Sequence, residues 1–141
     1  MPGIKQKIKQ LISPSIMIVD DDTEFACSLG EMLRDVLKRR LNINIINDIQ
    51  YVIPAIEMDG APKVMIIDFH LGRQNAMTLL NELATYPDTL GIPKIILSAS
   101  GRKLDRADLT QYGVYNVYDK RNYKVMDLVE ELNQILKWVL T

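Results

Sequence analysis

Four short apolar runs in this 141-residue chain end in residues that can do chemistry. Ile16-Met17-Ile18-Val19 runs into Asp20-Asp21-Asp22, and Val64-Met65-Ile66-Ile67 runs into Asp68. Ile95-Ile96-Leu97 is followed by Ser98, and Val114 to Tyr118 leads to Asp119-Lys120. If the first two runs are neighbouring strands, Asp20, Asp21 and Asp68 meet in one crevice. Three carboxylates that close cannot all stay ionised without compensation. A hard divalent cation is the simplest compensation: Mg²⁺, with Mn²⁺ as a substitute, takes carboxylate and water oxygens. Lys120 supplies a further positive charge, so three carboxylates against one Mg²⁺ and one ammonium sum to zero. A site balanced in this way can hold and neutralise a transferring phosphoryl group. Asp68 is the candidate nucleophile, since a carboxylate can form an acyl phosphate. Ser98 offers a hydroxyl to the phosphoryl oxygens. Asp22 is expected to cap the following helix or to face solvent. Capping alone would explain an acidic run after a strand, but not Asp68, Ser98 and Lys120 as well.

These residues need a scaffold, and the hydropathy pattern supplies one. Strands are expected at 16–19, 43–46, 64–67, 95–97 and 114–118, because each is short, apolar and rich in β-branched residues. Between them lie helical periodicities. From Thr23 to Leu41, Phe25, Leu29, Met32, Leu33, Val36 and Leu37 recur on one face. Ile49 to Met58 reads as a short helix that Pro54 either kinks or delays. Asn75 to Tyr86 turns Met77, Leu79, Leu80 and Leu83 inward, and Pro87 to Pro93 reads as a loop. Lys103 to Tyr112 is a weaker, polar helix. Tyr123 to Leu140 closes the chain with Val125, Leu128, Val129, Leu132, Ile135, Leu136 and Val139 on its apolar face and Trp138 off it. Five strands alternating with five helices give an α/β, doubly wound parallel sheet with helices on both faces. In such sheets ligands bind at the carboxyl ends of the strands, where the chemistry-bearing residues fall.

Composition narrows the function classes. Net charge is −1 and charged residues make up 25% of the chain, so no basic field exists to hold nucleic acid through its phosphates. No apolar run approaches the ~20 residues that span a bilayer. Lys5, Lys7 and Lys9 are interrupted by Ile4 and Ile8 without the apolar core of a leader, and residues 1–14 read as an extension ahead of a single domain at 15–141. The single cysteine, Cys27, fits a reducing, cytoplasmic setting and is expected to be a small buried hydrophobe. Met17, Met32, Met58, Met65, Met77 and Met126 read mostly as core filler. A flavin-phosphate site would need a donor-rich loop after the first strand, where this chain has three acids. An aspartate-nucleophile phosphatase would have a second acid where His70 stands.

Taken together, IMIVDDD (16–22), VMIIDFHLG (64–72), KIILSAS (94–100) and GVYNVYDK (113–120) resemble the response-regulator receiver family over almost the whole chain, from Ile16 to Leu140. The resemblance implies a flavodoxin-like (βα)5 fold with strand order 2-1-3-4-5. It implies Asp68 as phosphoacceptor, Asp21 as a direct Mg²⁺ ligand, Asp20 acting mainly through bound water, and the backbone carbonyl of His70 as a further ligand. Ser98 and Lys120 would bind the phosphoryl oxygens. The implied partners are a sensor histidine kinase or phosphotransfer protein and a downstream protein target, with no direct nucleic acid and no membrane. A homodimer through helix 4, strand 5 and helix 5 would follow phosphorylation. The chain would not be an enzyme in the ordinary sense, because it would catalyse only its own phosphotransfer and dephosphorylation. Five residues depart from the family pattern. Gly72 stands where proline is usual, Asn75-Ala76 where Asp-Gly is usual, Val117 where a switch aromatic is usual, and Arg121 where proline is usual. Val117 and Arg121 keep open an alternative, a pseudo-receiver that binds partners without phosphate.

Overall fold

A computed structural model describes residues 15–37, 41–99 and 106–140. The expected helical arm at 1–14 and the start of the polar helix at 103–105 lie outside the described residues, as do the side chains of Trp138 and Val139. β1 (Ile16–Val19) leads through Asp20-Asp21-Asp22 into α1 (Thr23–Leu37), then β2 (Ile43–Ile46). A 3₁₀ turn at Ile49–Tyr51 precedes α2 (Val52–Asp59), β3 (Val64–Asp68), β4 (His70–Leu71), β5 (Gln74–Asn75) and α3 (Ala76–Leu83). α4 (Pro87–Leu90), β6 (Lys94–Ser98), α5 (Arg106–Thr110), β7 (Val114–Asp119) and α6 (Val125–Leu140) complete the order. The main sheet is parallel, in the order β2-β1-β3-β6-β7. With the two short strands of the β4–β5 hairpin set aside, that is the expected 2-1-3-4-5.

Alternation along the strands sorts side chains onto two faces. Met17, Val19, Met65, Ile67 and Ile96 point to one face, against Val52, Leu79, Leu80, Leu83 and Leu109. Ile16, Ile18, Ile66, Ile95 and Leu97 point to the other, against Leu29 and Leu33 of α1 and Leu128, Leu132 and Leu136 of α6. The central strands β1, β3 and β6 are buried throughout, which is why their sequences carry no polar alternation.

Several boundaries differ from expectation. α2 starts after a 3₁₀ turn, placing Pro54 in its first turn, where its missing N–H costs no helical bond. α3 is shorter than 75–86: Asn75 caps it from outside, its Oδ1 accepting from Met77 N at 2.9 Å, and the helix ends at Leu83 with Ala84 as its C-cap. The 87–93 stretch holds a helical turn, with Pro87 at its first position. Val125 and Val36 stand at the rims of their helices, 38% and 37% exposed, and Met58 and Met126 face solvent at 79% and 63%. Their spacing is helical, but each lies off the stripe that the sheet covers. Cys27 is exposed, because the α1 stripe runs through Ala26, Leu29 and Leu33 and leaves position 27 outside. Hydrophobicity alone did not place these residues; the helix phase did. No helix among the described residues is long and apolar enough to cross a membrane.

Candidate functional site

Strand register brings the acids together. β1 pairs with β3 so that Val19 lies beside Ile67, and one further step sets Asp20 level with Asp68. β3 pairs with β6 as Asp68 beside Leu97, and β6 with β7 as Ser98 beside Asp119. Ser98 therefore sits one step past Leu97, and Lys120 one step past Asp119, at the same end of the sheet. Backbone bonds continue the ladders there: Asp20 N donates to Ile46 O at 3.0 Å, Phe69 N to Leu97 O at 2.8 Å and Lys120 N to Ser98 O at 3.0 Å.

Ligand atoms of Asp20, Asp21 and Asp68 lie within 4.8 Å of one another. Asp20, Asp68 and Ser98 are buried, whereas Asp21 is exposed. Asp20 accepts from Asp22 N through Oδ1 at 2.9 Å. Its Oδ2 meets Lys120 Nζ at 2.9 Å as an ion pair, although the approach is too oblique for a hydrogen bond. The same ammonium stands 3.5 Å from Asp68 Oδ2 and 4.3 Å from the centre of the Phe25 ring. Asp22 caps α1, its Oδ1 accepting from Phe25 N at 3.1 Å. His70 is exposed on β4, its ring edge-on to Phe69.

Burial, then the charge of Asp20, pushes the Asp68 carboxyl up to about 6, against the opposing pull of Lys120 and the His70 N–H. Burial works against the Lys120 ammonium, but its close ion pair with Asp20 and the charge of Asp68 outweigh that and raise its pKa. Asp68 Oδ1 is buried and accepts no well-formed hydrogen bond. A buried carboxylate oxygen left this way is costly. It lies among three oxygen donors, a set that suits a hard divalent cation.

Three features of the site escaped sequence reasoning. Phe25, counted as helix core, lies under the Lys120 ammonium, and only tertiary contact shows that. The hairpin after Asp68 pairs His70 with Asn75 and Leu71 with Gln74; glycine first in a two-residue loop is the signal that could have found it. Finally, Asp21 Oδ2 accepts from Gly72 N at 3.0 Å. Asp21 and Gly72 also border an open cleft of about 420 Å³, with Asn47 to Gln50 on one side and Leu71 to Gln74 on the other.

Val117 packs on the α2–α3 side of the sheet. The neighbouring tyrosines do not take its place. Tyr115 is exposed, and Tyr118 points to the α6 side, where its hydroxyl donates to Glu131 Oε1 at 2.6 Å.

The fold is that of response-regulator receiver domains. The receiver domain of the Francisella response regulator 1452 superposes with a TM-score of 0.73 at 19% identity, over 90% of this chain and 99% of that one. A CheY-like receiver domain protein of Methanospirillum hungatei gives 0.72 at 20% identity, over 89% and 94%. The phosphorylated cyanobacterial phytochrome response regulator RcpA gives 0.63 at 17% identity, over 92% and 95%. No protein-family model matches the sequence, and no curated protein matches it significantly.

Proposed function

We propose that this chain is a receiver: a phosphorylation switch whose phosphoacceptor is Asp68. The observation that carries the reading is the buried Asp68 carboxylate, one oxygen unsatisfied and the other facing Lys120, beside Asp20 and Asp21. In the reaction, an Asp68 oxygen attacks phosphorus, forming an acyl phosphate. The bond from phosphorus to the donor breaks, and its electron pair leaves with the donor: an imidazole if the donor is a phosphohistidine, an acetate if it is acetyl phosphate. Lys120 offers its charge to the phosphoryl oxygens, and Ser98, buried at the end of β6, offers a hydroxyl from the facing strand. Asp20 fixes Lys120 through their ion pair. Mg²⁺ would be held by Asp20, Asp21, Asp68 and the His70 carbonyl, and would neutralise charge building up on the phosphoryl oxygens.

The partners that fit this chemistry are a sensor histidine kinase or phosphotransfer protein upstream and a protein target downstream. The chain would promote only its own phosphorylation and hydrolysis. Addition of a dianionic group beside Ser98 and Lys120 would bias the surface around α5, β7 and α6, a local charge change with a distant readout.

Incubation with Mg²⁺ and acetyl phosphate, followed by intact mass, tests the reading. A phosphate-sized, Mg²⁺-dependent gain that disappears in Asp68→Asn is the expected result. A folded protein that takes Mg²⁺ but gains no mass and binds no beryllofluoride would instead be a phosphate-independent interaction module, with Val117 as the first residue to explain.

A further inference from the structure

We infer that the backbone N–H of Gly72 positions Asp21 for Mg²⁺, tying the β4–β5 hairpin to the metal site. This inference rests on the receiver reading above. Asp21 is the one exposed member of the acidic trio. An exposed carboxylate on a loop ordinarily rotates freely, and a metal that recruits it must pay for fixing it. Here the rotation is already restrained, because Oδ2 accepts a charge-assisted bond from Gly72 N at 3.0 Å. A carboxylate has about four lone-pair sites, so one backbone donor leaves enough for a cation. Donors behind a metal ligand of this kind orient it.

Gly72 can do this for two reasons. Its φ of +64° lies in the left-handed region, which suits the first position of the two-residue loop that holds its amide against Asp21. It also possesses an N–H, which proline at this position would lack. A Cβ at Gly72 would meet nothing within 4 Å, so no packing reason for glycine competes with the conformational one.

The test measures Mg²⁺ affinity of the full chain by calorimetry, without phosphodonor, in the wild type, Gly72→Pro and Gly72→Asn. Asn keeps the N–H and tolerates the left-handed conformation; Pro removes the donor but also fixes φ at about −65°, so where the hairpin is lost in Gly72→Pro the protection of the wild-type Gly72 amide decides. Amide spectra of His70 and Asn75 report whether the hairpin persists in each. The expected loss is about 10- to 100-fold for Gly72→Pro, with Gly72→Asn close to wild type. In the wild type the Gly72 amide should be protected from exchange and should shift on Mg²⁺ addition, and Asp21→Ala should abolish both effects. Wild-type affinity in Gly72→Pro, an equal loss in Gly72→Asn, or an unprotected Gly72 amide would each overturn the inference while leaving Mg²⁺ binding itself intact. A wild type that takes no Mg²⁺ would overturn the receiver reading's metal, and this inference with it.

Discussion

The two ends of the parallel sheet each hold a lysine among oxygen atoms, and they use it in opposite ways. At the carboxyl ends of the strands, Lys120 sits between two buried carboxylates, and its proton is held more tightly than usual. At the other end, Lys94 is fully buried at the start of β6. Its Nζ donates to the carbonyls of Thr89 at 2.9 Å and Leu90 at 3.0 Å, and burial pushes its pKa down to about 8. Carbonyl dipoles satisfy hydrogen bonds without cancelling charge; carboxylates do both. The Lys94 end is therefore a structural clamp. It secures the α4 turn to β6, and Gly113 is confined beside it, because a Cβ there would stand 2.8 Å from Leu90 O. The Lys120 end keeps unbalanced negative charge in reach of a crevice and is built to receive something.

The contrast is sharpest in function. Lys120→Ala should slow phosphorylation of Asp68 by about 100-fold or more, read as the initial rate of mass gain from acetyl phosphate, whereas a substitution at Lys94 should leave that rate unchanged in the fraction that is folded. Equal losses at both positions would erase the distinction.

Stability should show the reverse. Lys94→Ala opens a cavity and takes the side-chain donor away from the Thr89 and Leu90 carbonyls, at a cost of about 2–5 kcal/mol in urea unfolding. The pH dependence has a definite sign. The unfolded chain holds the Lys94 proton up to about 10.5, and the folded chain releases it near 8. Between these values the unfolded state binds the extra proton, so wild-type stability should rise with pH through that window. Lys94→Met should lack that component, and parallel pH profiles for the two proteins would refute the clamp. The smallest effect belongs to Arg121, whose guanidinium pairs with Asp119 at 3.4 Å on the surface. Arg121→Ala should leave the unfolding midpoint unchanged at moderate salt, because exposed pairs are screened and weak.

Much of this was legible in the sequence for a physical reason. The strands β1, β3 and β6 are buried on both faces and so read as unbroken apolar runs, and each delivers its polar residue at the end where such sheets bind ligands. Asp20, Asp68 and Ser98 could be found that way, and Lys120 by its place just after the fifth strand of the main sheet. Asp21 could be found as well, but not its bond to Gly72, since no periodicity marks a backbone donor. Lys94 opens the run KIIL and looks like an ordinary charged residue at a strand start; its burial follows from α4, which sequence reasoning took for a loop. Cys27, Met58 and Met126 were misplaced because residue type was used where helix phase decides.

The union of Asp20 with Lys120 has a further consequence, for the history of each molecule. Lys120 lies one hundred positions after Asp20 in the chain, a contact of high sequence separation, and such contacts form late and slowly. During synthesis the acids of β1 and β3 emerge well before the lysine that offsets them. A partly made chain therefore carries an acidic cluster with no ammonium between its carboxylates, and Asp68 acquires its setting only once β7 has docked. If Asp68 is the phosphoacceptor proposed above, competence to be phosphorylated would report completion of the whole sheet, and a truncated or half-folded copy would not be phosphorylated.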